Sequence, residues 1–447
     1  MKKLRKFLAT FIFNIDWIIL LIVFTLATIG IFAIDSASSF YETSFKHVSV
    51  QIAACFLGTI FLFAIAAFDY QFYKYLDKII YAISISLLIS VLIFGTLKKG
   101  TRGWFNLGYL SFQPVEIVKI CYILVLSSFL DKNSNNPNLI YLLTGTFLIL
   151  FGHLVLIMLQ PDFSSTLSYF PVTLVLLFIA GVPTFILMCL SVFASFAVGM
   201  PLLETFAKMQ QQVFPDHSFM AKIHSLLSED WYKIYILEGF SVIVMSFWWG
   251  LKKLKISFSF IYPFFLCLSI AFGCLASIVV DKSLKDYQRK RLVVFLNPKV
   301  DVKGAGYNII QSKIAIGSGE FKGKGFKQGT QTQLGFLPEQ HTDFIFSIIG
   351  EERGWIVSQL IIVLYFLFIW RIFKTAKNAK DRYGSFVAIG IGTMFTFYIV
   401  INIGMVMGMM PVTGMPLPLL SYGGSSVFSS LCAVGILCSI QIRKYLF

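Results

Sequence analysis

Charged residues are scarce in this chain. Of its 447 residues only 13% are charged, whereas ordinary soluble domains carry about 25%. Hydrophobic residues make up 57% of the sequence, and the mean hydropathy is +0.79. This composition excludes a water-soluble protein. Apolar runs of about 17–25 residues recur from end to end, so the sequence predicts an all-α polytopic membrane protein with no separate soluble domain.

Three other signals are missing. The seven cysteines all fall inside apolar runs without metal-site spacing, and we interpret them as small packing residues. The Gly-x-x-x-x-Gly-Lys-Ser/Thr pattern of a nucleotide-binding P-loop is absent. No small-residue cleavage site follows the basic start of the chain, so the first apolar run is predicted to be a retained helix rather than a signal peptide.

The apolar runs predict about twelve membrane spans. They cover residues 15–34, 48–68, 79–96, 115–130, 139–159, 166–182, 184–203, 234–250, 256–280, 353–373, 385–408 and 425–442. An even number of spans places both termini on the same side of the membrane. Short basic clusters, such as the one at 252–255 and the loop at 371–382, fall on that side, so the positive-inside rule predicts cytoplasmic termini.

The opposite face receives the largest connection, a predicted loop over 281–352. Its 282–327 part carries eleven basic and three acidic residues, in a chain of net charge +15. Long loops are exempt from the positive-inside rule, so these charges do not overturn the topology. The cations fit a phosphate-bearing partner, and for any single lysine a solvated face that touches lipid headgroups is an equal explanation.

A lone carboxylate, Asp343, lies near the end of this predicted loop, at the edge of an aromatic and aliphatic cluster. A charge costs several kcal/mol at membrane depth, so an acid kept at the edge of a span suggests a function. The alternative is a solvated loop acid that caps the following helix. The residue by itself leaves both interpretations open.

Residues 100–119 combine a hairpin with the start of a helix. Glycines and Trp104 favour a compact hairpin, and Pro114 suits the first turn of a helix. Glu116 and Lys119 then lie three residues apart on one helix face. They either neutralise each other or reach into an aqueous cavity.

The segment 304–339 is rich in glycine. The spacing of its apolar residues predicts a short interfacial helix over 306–316. The glycines and lysines of 317–329 predict an anion-binding loop, because glycine lets backbone N–H groups approach oxygen atoms and lysine adds charge. Gln331 and His341 follow this loop.

Two further short segments carry local signals. Asp162 follows a Gln-Pro turn and is predicted to cap the next helix. The apolar stretch 411–426 contains three prolines and three glycines and cannot form a regular span. It predicts a re-entrant loop that lines a cavity of a channel, a transporter or an enzyme.

These stretches, in this order and spacing, resemble the SEDS family of shape, elongation, division and sporulation proteins. The matching motifs are Arg102-Gly-Trp-Phe-Asn-Leu-Gly, Phe112-Gln-Pro-Val-Glu-Ile-Val-Lys119, Gln160-Pro-Asp162, Gly304-Ala-Gly-Tyr-Asn-Ile-Ile-Gln-Ser-Lys313, Gly317-Ser-Gly-Glu-Phe-Lys-Gly-Lys-Gly325, Phe336-Leu-Pro-Glu-Gln-His-Thr-Asp343-Phe and Pro416-Leu-Pro-Leu-Leu-Ser-Tyr-Gly-Gly424. The motif Gly-Thr-Gln-x-Gln-Leu at 329–334 is similar to that of the RodA-like branch of this family.

The resemblance implies a peptidoglycan glycosyltransferase of cell elongation that polymerises lipid II, a disaccharide-pentapeptide on undecaprenyl pyrophosphate. It would work at the outer face of the bacterial cytoplasmic (inner) membrane beside a class B penicillin-binding protein. Asp343 would be the essential carboxylate, as a base or as a ligand of a divalent cation, Mg²⁺ or Mn²⁺. The expected substrate-binding residues are Arg102, Glu116, Lys119, Lys313, Lys324, Gln331 and His341.

Two departures from the family pattern stand out. Family members usually have about ten spans, so residues 184–255 are interpreted as an inserted helix pair with an outer loop. Arg102 stands two positions before Trp104, whereas RodA-like members often have a basic residue directly before this tryptophan. Two alternative functions stay open: a flippase for the lipid-linked precursor, and a non-catalytic scaffold for the transpeptidase.

Overall fold

The computed structural model describes residues 14–39, 44–98, 100–108, 110–134, 138–213, 231–253, 259–283, 286–298 and 304–444. The chain divides into two compact units. One unit consists of Met1–Ala180 with Asn308–Phe447, and the other of Gly181–Tyr307. The predicted loop 281–352 is therefore divided between the two units at residue 307.

The first unit begins with seven helices and a small antiparallel sheet. In chain order these are α1 (Trp17–Ser38), α2 (Ser44–Ala67), α3 (Gln71–Tyr75), α4 (Asp77–Phe94), β1 (Thr96–Lys98), β2 (Thr101–Leu107), β3 (Leu110–Phe112), α5 (Pro114–Lys132), α6 (Leu139–Leu159) and α7 (Phe163–Ile179). The strands pair in the order β1-β2-β3, with Phe105 opposite Phe112. The predicted hairpin before α5 is confirmed, and Pro114 lies in the first turn of that helix.

The second unit contains α8 (Thr184–Val213), α9 (Trp231–Lys253), α10 (Ile261–Ser283) and α11 (Asp286–Val293). Helix α10 packs along α8 around Met200, Ile270 and Cys274. The two helices of the predicted insertion 184–255 are α8 and α9. That they form an insertion stays a prediction, and most of the outer loop expected between them lies outside the described residues.

The first unit continues with α12 (Ala305–Ser318, whose first residues belong to the second unit), α13 (Thr330–Gln333), α14 (Ile345–Lys377), α15 (Arg382–Val406) and α16 (Gly424–Arg443). Helix α15 packs against α5, α7 and α14, and α16 packs along α2. These two helices are the most buried of the candidate spans, so they form the centre of the unit. The predicted short helix at 306–316 is confirmed as α12.

Each of the twelve predicted spans falls on a helix, and the all-α polytopic fold class is confirmed. Among the described residues, nine helices are long and apolar enough to cross a membrane. Three of the predicted spans fall on helices outside these nine, namely α5, α7 and α9. Helix α7 has only 17 residues, and α5 carries Glu116, Lys119, Asp131 and Lys132.

Helix α14 is broken in its interior. Gly354 has φ 73° and ψ −171°, so 345–353 and 355–377 are two helices that meet at a kink. The predicted span 353–373 matches the second of these helices, whereas the first, 345–353, was predicted to be part of the loop 281–352. The first helix was missed because Glu351 and Glu352 look like loop residues in the sequence, whereas both are buried in the structure.

The prediction that Asp162 caps a helix is confirmed. Asp162 accepts a hydrogen bond of 3.0 Å from the Ser165 backbone N–H and caps α7. Asp16 caps α1 and also pairs with Arg371 of α14 at 2.5 Å. The buried Asp16 carboxylate thereby ties the start of the first span to the far end of α14.

Gly30 of α1 provides a test of this packing. A Cβ atom placed on Gly30 would lie 2.7 Å from the carbonyl oxygen of Leu420 and 2.8 Å from that of Leu419, both of them backbone atoms. Overpacking of this kind costs about 1–3 kcal/mol, so Gly30→Ala should lower the apparent melting temperature in detergent.

The matched control is Gly199→Ala in α8, because no described atom lies within 4 Å of a Cβ atom at that position. Alanine is favoured over glycine in a helix by up to about 1 kcal/mol, so this variant should be unchanged or slightly more stable. Equal melting temperatures for the two variants would contradict the close contact between α1 and the 411–423 segment.

Candidate functional site

Asp343 lies one residue before the N-cap of α14, which is Phe344. Its side chain is half-buried. The Asp343 backbone N–H donates to the Glu339 carbonyl at 3.1 Å, and its carbonyl accepts from Asn402 Nδ2 at 2.9 Å. The backbone is therefore held on both sides of the carboxylate.

Asn402 is a fully buried amide near the C-terminal end of α15, and sequence reasoning missed it. Its Nδ2 donates to the Asp343 carbonyl and, at 2.7 Å, to the Met415 carbonyl. One side chain thus joins the segment that carries Asp343 to the irregular 411–423 segment. An amide inside an apolar span is itself a signal of an internal polar site.

His341 is held beside two further aromatic rings. Its carbonyl accepts from the Tyr422 N–H at 2.9 Å, and its ring stacks on His47 with centroids 4.9 Å apart and planes 17° apart. Burial raises the pKa of Tyr422, so its phenol stays protonated at neutral pH and keeps a donor. His47 and Tyr422 were not predicted, because they reach His341 only through the tertiary fold.

The glycine-rich segment 317–325 wraps the break in α14. The Lys324 N–H donates to the Glu351 carbonyl at 3.0 Å, and the Gly325 N–H to the Glu352 carbonyl at 3.0 Å. In return the Glu320 carbonyl accepts from the Trp355 N–H at 2.8 Å. The prediction of an anion-binding loop is wrong for these amides, because they satisfy the backbone groups released at the kink.

Lys324 and Gln331 meet at the carboxylate of Glu351. Lys324 Nζ lies 3.1 Å from Glu351 Oε1, and the Gln331 backbone N–H donates to the same oxygen at 2.9 Å. The charge of Lys324 is therefore paired inside the protein. The half-buried Gln331 side chain and His341 lie on the chain that leads to Asp343.

Glu116 and Lys119 form a buried ion pair, with Lys119 Nζ 2.8 Å from Glu116 Oε1. Lys119 also donates to the Tyr398 hydroxyl and lies 4.5 Å from the centre of that ring. A cavity of about 10 Å³ beside Lys119, lined also by Ser168 and Tyr169, has room for about one water molecule. The structure supports the interpretation in which the two charges neutralise each other.

Arg102 and Lys313 are exposed. Arg102 Nε donates to the Gly95 carbonyl at 3.2 Å, so its position is set within the hairpin. Lys313 lies across Gly408, where a Cβ atom would be 2.6 Å from its Nζ. Ser312, next to Lys313, donates to the Val406 carbonyl at 2.6 Å and fixes α12 against the end of α15.

Helix α15 brings most of these residues to one region. Tyr398 contacts Lys119, Asn402 holds Asp343, and Gly408, just beyond the helix, contacts Lys313. Lys324 and Gln331 join the region through α14. The hairpin that carries Arg102 reaches α16 instead, where Ser425 Oγ accepts from the Gln113 N–H at 2.9 Å.

A divalent cation fits this region only with ligands from a substrate. In the described part of the chain, no group of three His, Cys, Asp or Glu side chains is arranged to hold a metal ion. Mg²⁺ is commonly held by one or two carboxylates together with substrate phosphates. Asp343 with a phosphate-bearing substrate would satisfy that pattern.

The fold and the site define a polytopic α-helical membrane protein with a half-buried carboxylate at the end of a broken helix. Residues 16–229 and 218–446 match the FtsW/RodA/SpoVE family, described as cell cycle proteins. The chain belongs to this family, and the resemblance seen in its motifs is confirmed.

Similar proteins align over nearly the whole chain. It is 35% identical over 438 residues to the peptidoglycan glycosyltransferase RodA of Treponema pallidum, covering 96% of this chain and 98% of the relative. It is 32% identical over 432 residues to the peptidoglycan glycosyltransferase MrdB of Escherichia coli K12, covering 96% and 94%.

Two solved structures share the fold. One comes from work on the structural coordination of polymerization and crosslinking by a peptidoglycan synthase complex, with a TM-score of 0.66 and 25% identity over 97% of this chain and 99% of that one. The other is the rod shape determining protein RodA of Thermus thermophilus, with a TM-score of 0.59 and 20% identity over 97% and 98%.

The buried Glu116–Lys119 pair predicts strongly non-additive stability. Removing one partner leaves the other charge buried, which costs about 3–5 kcal/mol. Glu116→Gln and Lys119→Met should each destabilise the protein by about that amount, and the double variant by less than their sum. Unfolding in mixed micelles, followed by tryptophan fluorescence, measures all three. Additive losses would show that the two charges act independently.

Proposed function

We propose that this chain is a peptidoglycan glycosyltransferase that polymerises lipid II into glycan strands for cell elongation and rod shape. The half-buried Asp343 carboxylate, with its backbone held by Asn402, is the observation that carries the proposal. Relatives bearing the name peptidoglycan glycosyltransferase, aligned over nearly their whole length, support it.

Asp343 acts as the general base in this proposal. The 4-hydroxyl oxygen of one sugar attacks the anomeric carbon of the other and forms the new glycosidic bond. The bond between that carbon and the pyrophosphate oxygen breaks, and its electron pair leaves with the pyrophosphate. The hydroxyl proton passes to Asp343. With an α-linked donor and a β-linked product the reaction inverts, so a single base is sufficient.

The basic residues have different roles in the reaction. Arg102 and Lys313 are exposed, and we infer that they offset the charge of the departing pyrophosphate. Lys119 and Lys324 are paired with Glu116 and Glu351, so they act by holding the framework rather than as open cation sites. Gln331 and His341 offer polar atoms to the sugars.

A divalent ion, Mg²⁺ or Mn²⁺, would have Asp343 and the substrate pyrophosphate as its ligands. When bound, the ion would polarise the attacking hydroxyl and offset charge on the phosphates. The chain's own residues would then fix the ion through the backbone contacts of Asp343 with Glu339 and Asn402.

The reaction takes place at the outer face of the bacterial cytoplasmic membrane, with both termini in the cytoplasm. The short basic clusters on the side of the termini support this orientation. The partner is a class B penicillin-binding protein, whose crosslinking activity would use the glycan product. The similarity to a chain from a peptidoglycan synthase complex supports that pairing.

A flippase and a scaffold are the alternative functions. A flippase needs polar groups along a path through both leaflets. Glu116 and Lys119 of α5, which are buried beside α15, instead neutralise each other. A scaffold needs no catalytic acid. The polymerisation assay below separates the glycosyltransferase from these two alternatives.

Asp343→Asn should abolish glycan polymerisation in proteoliposomes that hold the partner transpeptidase and labelled lipid II. General-base catalysis contributes about 10²–10⁴-fold, and the amide cannot accept the proton. The matched control is Glu320→Gln, an exposed acid in the glycine-rich segment, which should keep wild-type activity. Equal product from wild type and Asp343→Asn would remove Asp343 from the mechanism. No product from intact wild-type complexes would favour the flippase or the scaffold.

A chelator should reduce wild-type polymerisation if Asp343 acts through a divalent ion, and added Mg²⁺ or Mn²⁺ should restore it. Binding of labelled lipid II, measured with and without the chelator, provides a readout besides activity. Full activity in the chelator would leave the direct proton acceptor as the role of Asp343.

A further inference from the structure

Glu351 is a fully buried carboxylate in the first half of α14. Its Oε1 accepts from Lys324 Nζ at 3.1 Å, Thr330 Oγ1 at 3.2 Å and the Gln331 N–H at 2.9 Å. Its Oε2 accepts from the Thr332 N–H at 3.1 Å and from Thr332 Oγ1 at 2.9 Å. All five donors come from the nine residues 324–332.

The contacts of the Glu351 carboxylate do more than neutralise its charge. A buried carboxylate is tolerated when it is paired and when its remaining lone pairs accept hydrogen bonds. Lys324 supplies the pairing, and the four other bonds come from the turn that contains Thr332. Glu351 therefore fixes the position of this turn in addition to neutralising the charge of Lys324.

A second set of contacts extends from the turn toward Asp343. The Thr332 carbonyl accepts from Gln340 Nε2 at 3.3 Å, and the same amide donates to the Ala37 carbonyl of α1 at 2.7 Å. Gln340 is fully buried and directly precedes His341. The hydrogen bonds thus run from Glu351 through Thr332 and Gln340 to the residue beside the site.

The covalent chain also connects Glu351 to Asp343, through the first half of α14. Asp343 precedes the first turn of α14, and Glu351 lies about two turns further along the same half-helix. The segment 324–343 leaves the region of Glu351 and returns to the start of the helix. Asn402 fixes the Asp343 end of this segment. A change at Glu351 therefore alters the other end, 324–332.

We propose that Glu351 is a positioning residue that clamps 324–332 against the broken helix and so sets the placement of His341 and Asp343 for the transfer reaction. This proposal rests on the glycosyltransferase function proposed above. Glu351 does not touch the reacting atoms, and its effect passes through Thr332 and Gln340.

Four variants separate positioning from general stability. Glu351→Gln keeps the size of the side chain but removes the charge and points an amide at N–H donors. Thr332→Val removes one of the five bonds, and Thr332→Ser keeps that bond. Asp381→Asn is the matched control, because Asp381 also accepts several bonds, from Tyr70, Gln71 and the Gly384 N–H, at the start of α15.

Hydrogen–deuterium exchange of the full chain in nanodiscs tests the clamp without any activity. Exchange over 330–343 should rise by about tenfold or more in Glu351→Gln and by less in Thr332→Val. Exchange in this segment should stay at the wild-type level in Thr332→Ser and Asp381→Asn. Unchanged exchange over 330–343 in both Glu351→Gln and Thr332→Val would overturn the proposal.

Steady-state polymerisation, measured per folded protein, tests the consequence. Glu351→Gln should lower kcat by about tenfold or more with KM within about twofold, because misplacement of Asp343 is felt in the transition state. Thr332→Val should fall between this variant and wild type, and Thr332→Ser should restore wild-type kcat. If Glu351→Gln does not fold, the Thr332→Val and Thr332→Ser pair decides.

The two readouts keep the proposals apart. Faster exchange in the segment with wild-type kcat would overturn the positioning role. A wild-type chain that makes no glycan would refute the glycosyltransferase function, while the exchange data would still decide whether Glu351 clamps the segment.

Discussion

The break in α14 at Gly354 is the constraint on which the rest of the site depends. At membrane depth a backbone carbonyl or N–H without a partner costs several kcal/mol, so a broken helix is tolerated only where protein groups replace the lost bonds. The segment 319–325 provides those groups. Glycine is required there because a Cβ atom on Gly319 would lie 1.9 Å from the Gly350 carbonyl oxygen, and one on Gly323 would lie 2.2 Å from that of Glu352.

The break has a chemical consequence. It separates a short half-helix, 345–353, whose first residue follows Asp343 closely and whose last turn carries Glu351. Asn402 fixes the backbone of Asp343 from α15, and the bonds around Glu351 fix the segment that leads to it. The catalytic role proposed for Asp343 needs supports that lock its position. Those supports are buried, while the carboxylate itself stays half-exposed.

Local signals predicted much of the fold. The apolar runs located the spans, and Pro114 and Asp162 marked helix starts. The spacing of Glu116 and Lys119 placed both on one helix face, and the ion pair was one of two interpretations left open. These features depend on neighbours along the chain, so they are visible in the sequence.

The supports of the site were not predictable in the same way. The first half of α14, 345–353, was taken for loop because Glu351 resembles a loop residue unless its partners at 324–332 are known. Asn402 and His47 act on residues far away in the chain, and the glycines of 317–325 serve helix carbonyls rather than an anion. Such roles follow from long-range contacts, which one sequence does not display.

Photocrosslinking to lipid II tests most directly that the substrate binds at the Asp343 end of α14. The photoreactive residue p-benzoylphenylalanine would replace Phe336, which is 44% exposed in the segment that leads to Asp343, or Trp370, which is 53% exposed near the other end of α14. We expect labelled lipid II to crosslink at position 336, in competition with unlabelled lipid II, and not at position 370. Equal crosslinking at both positions, or crosslinking at 370 alone, would contradict the location of the site.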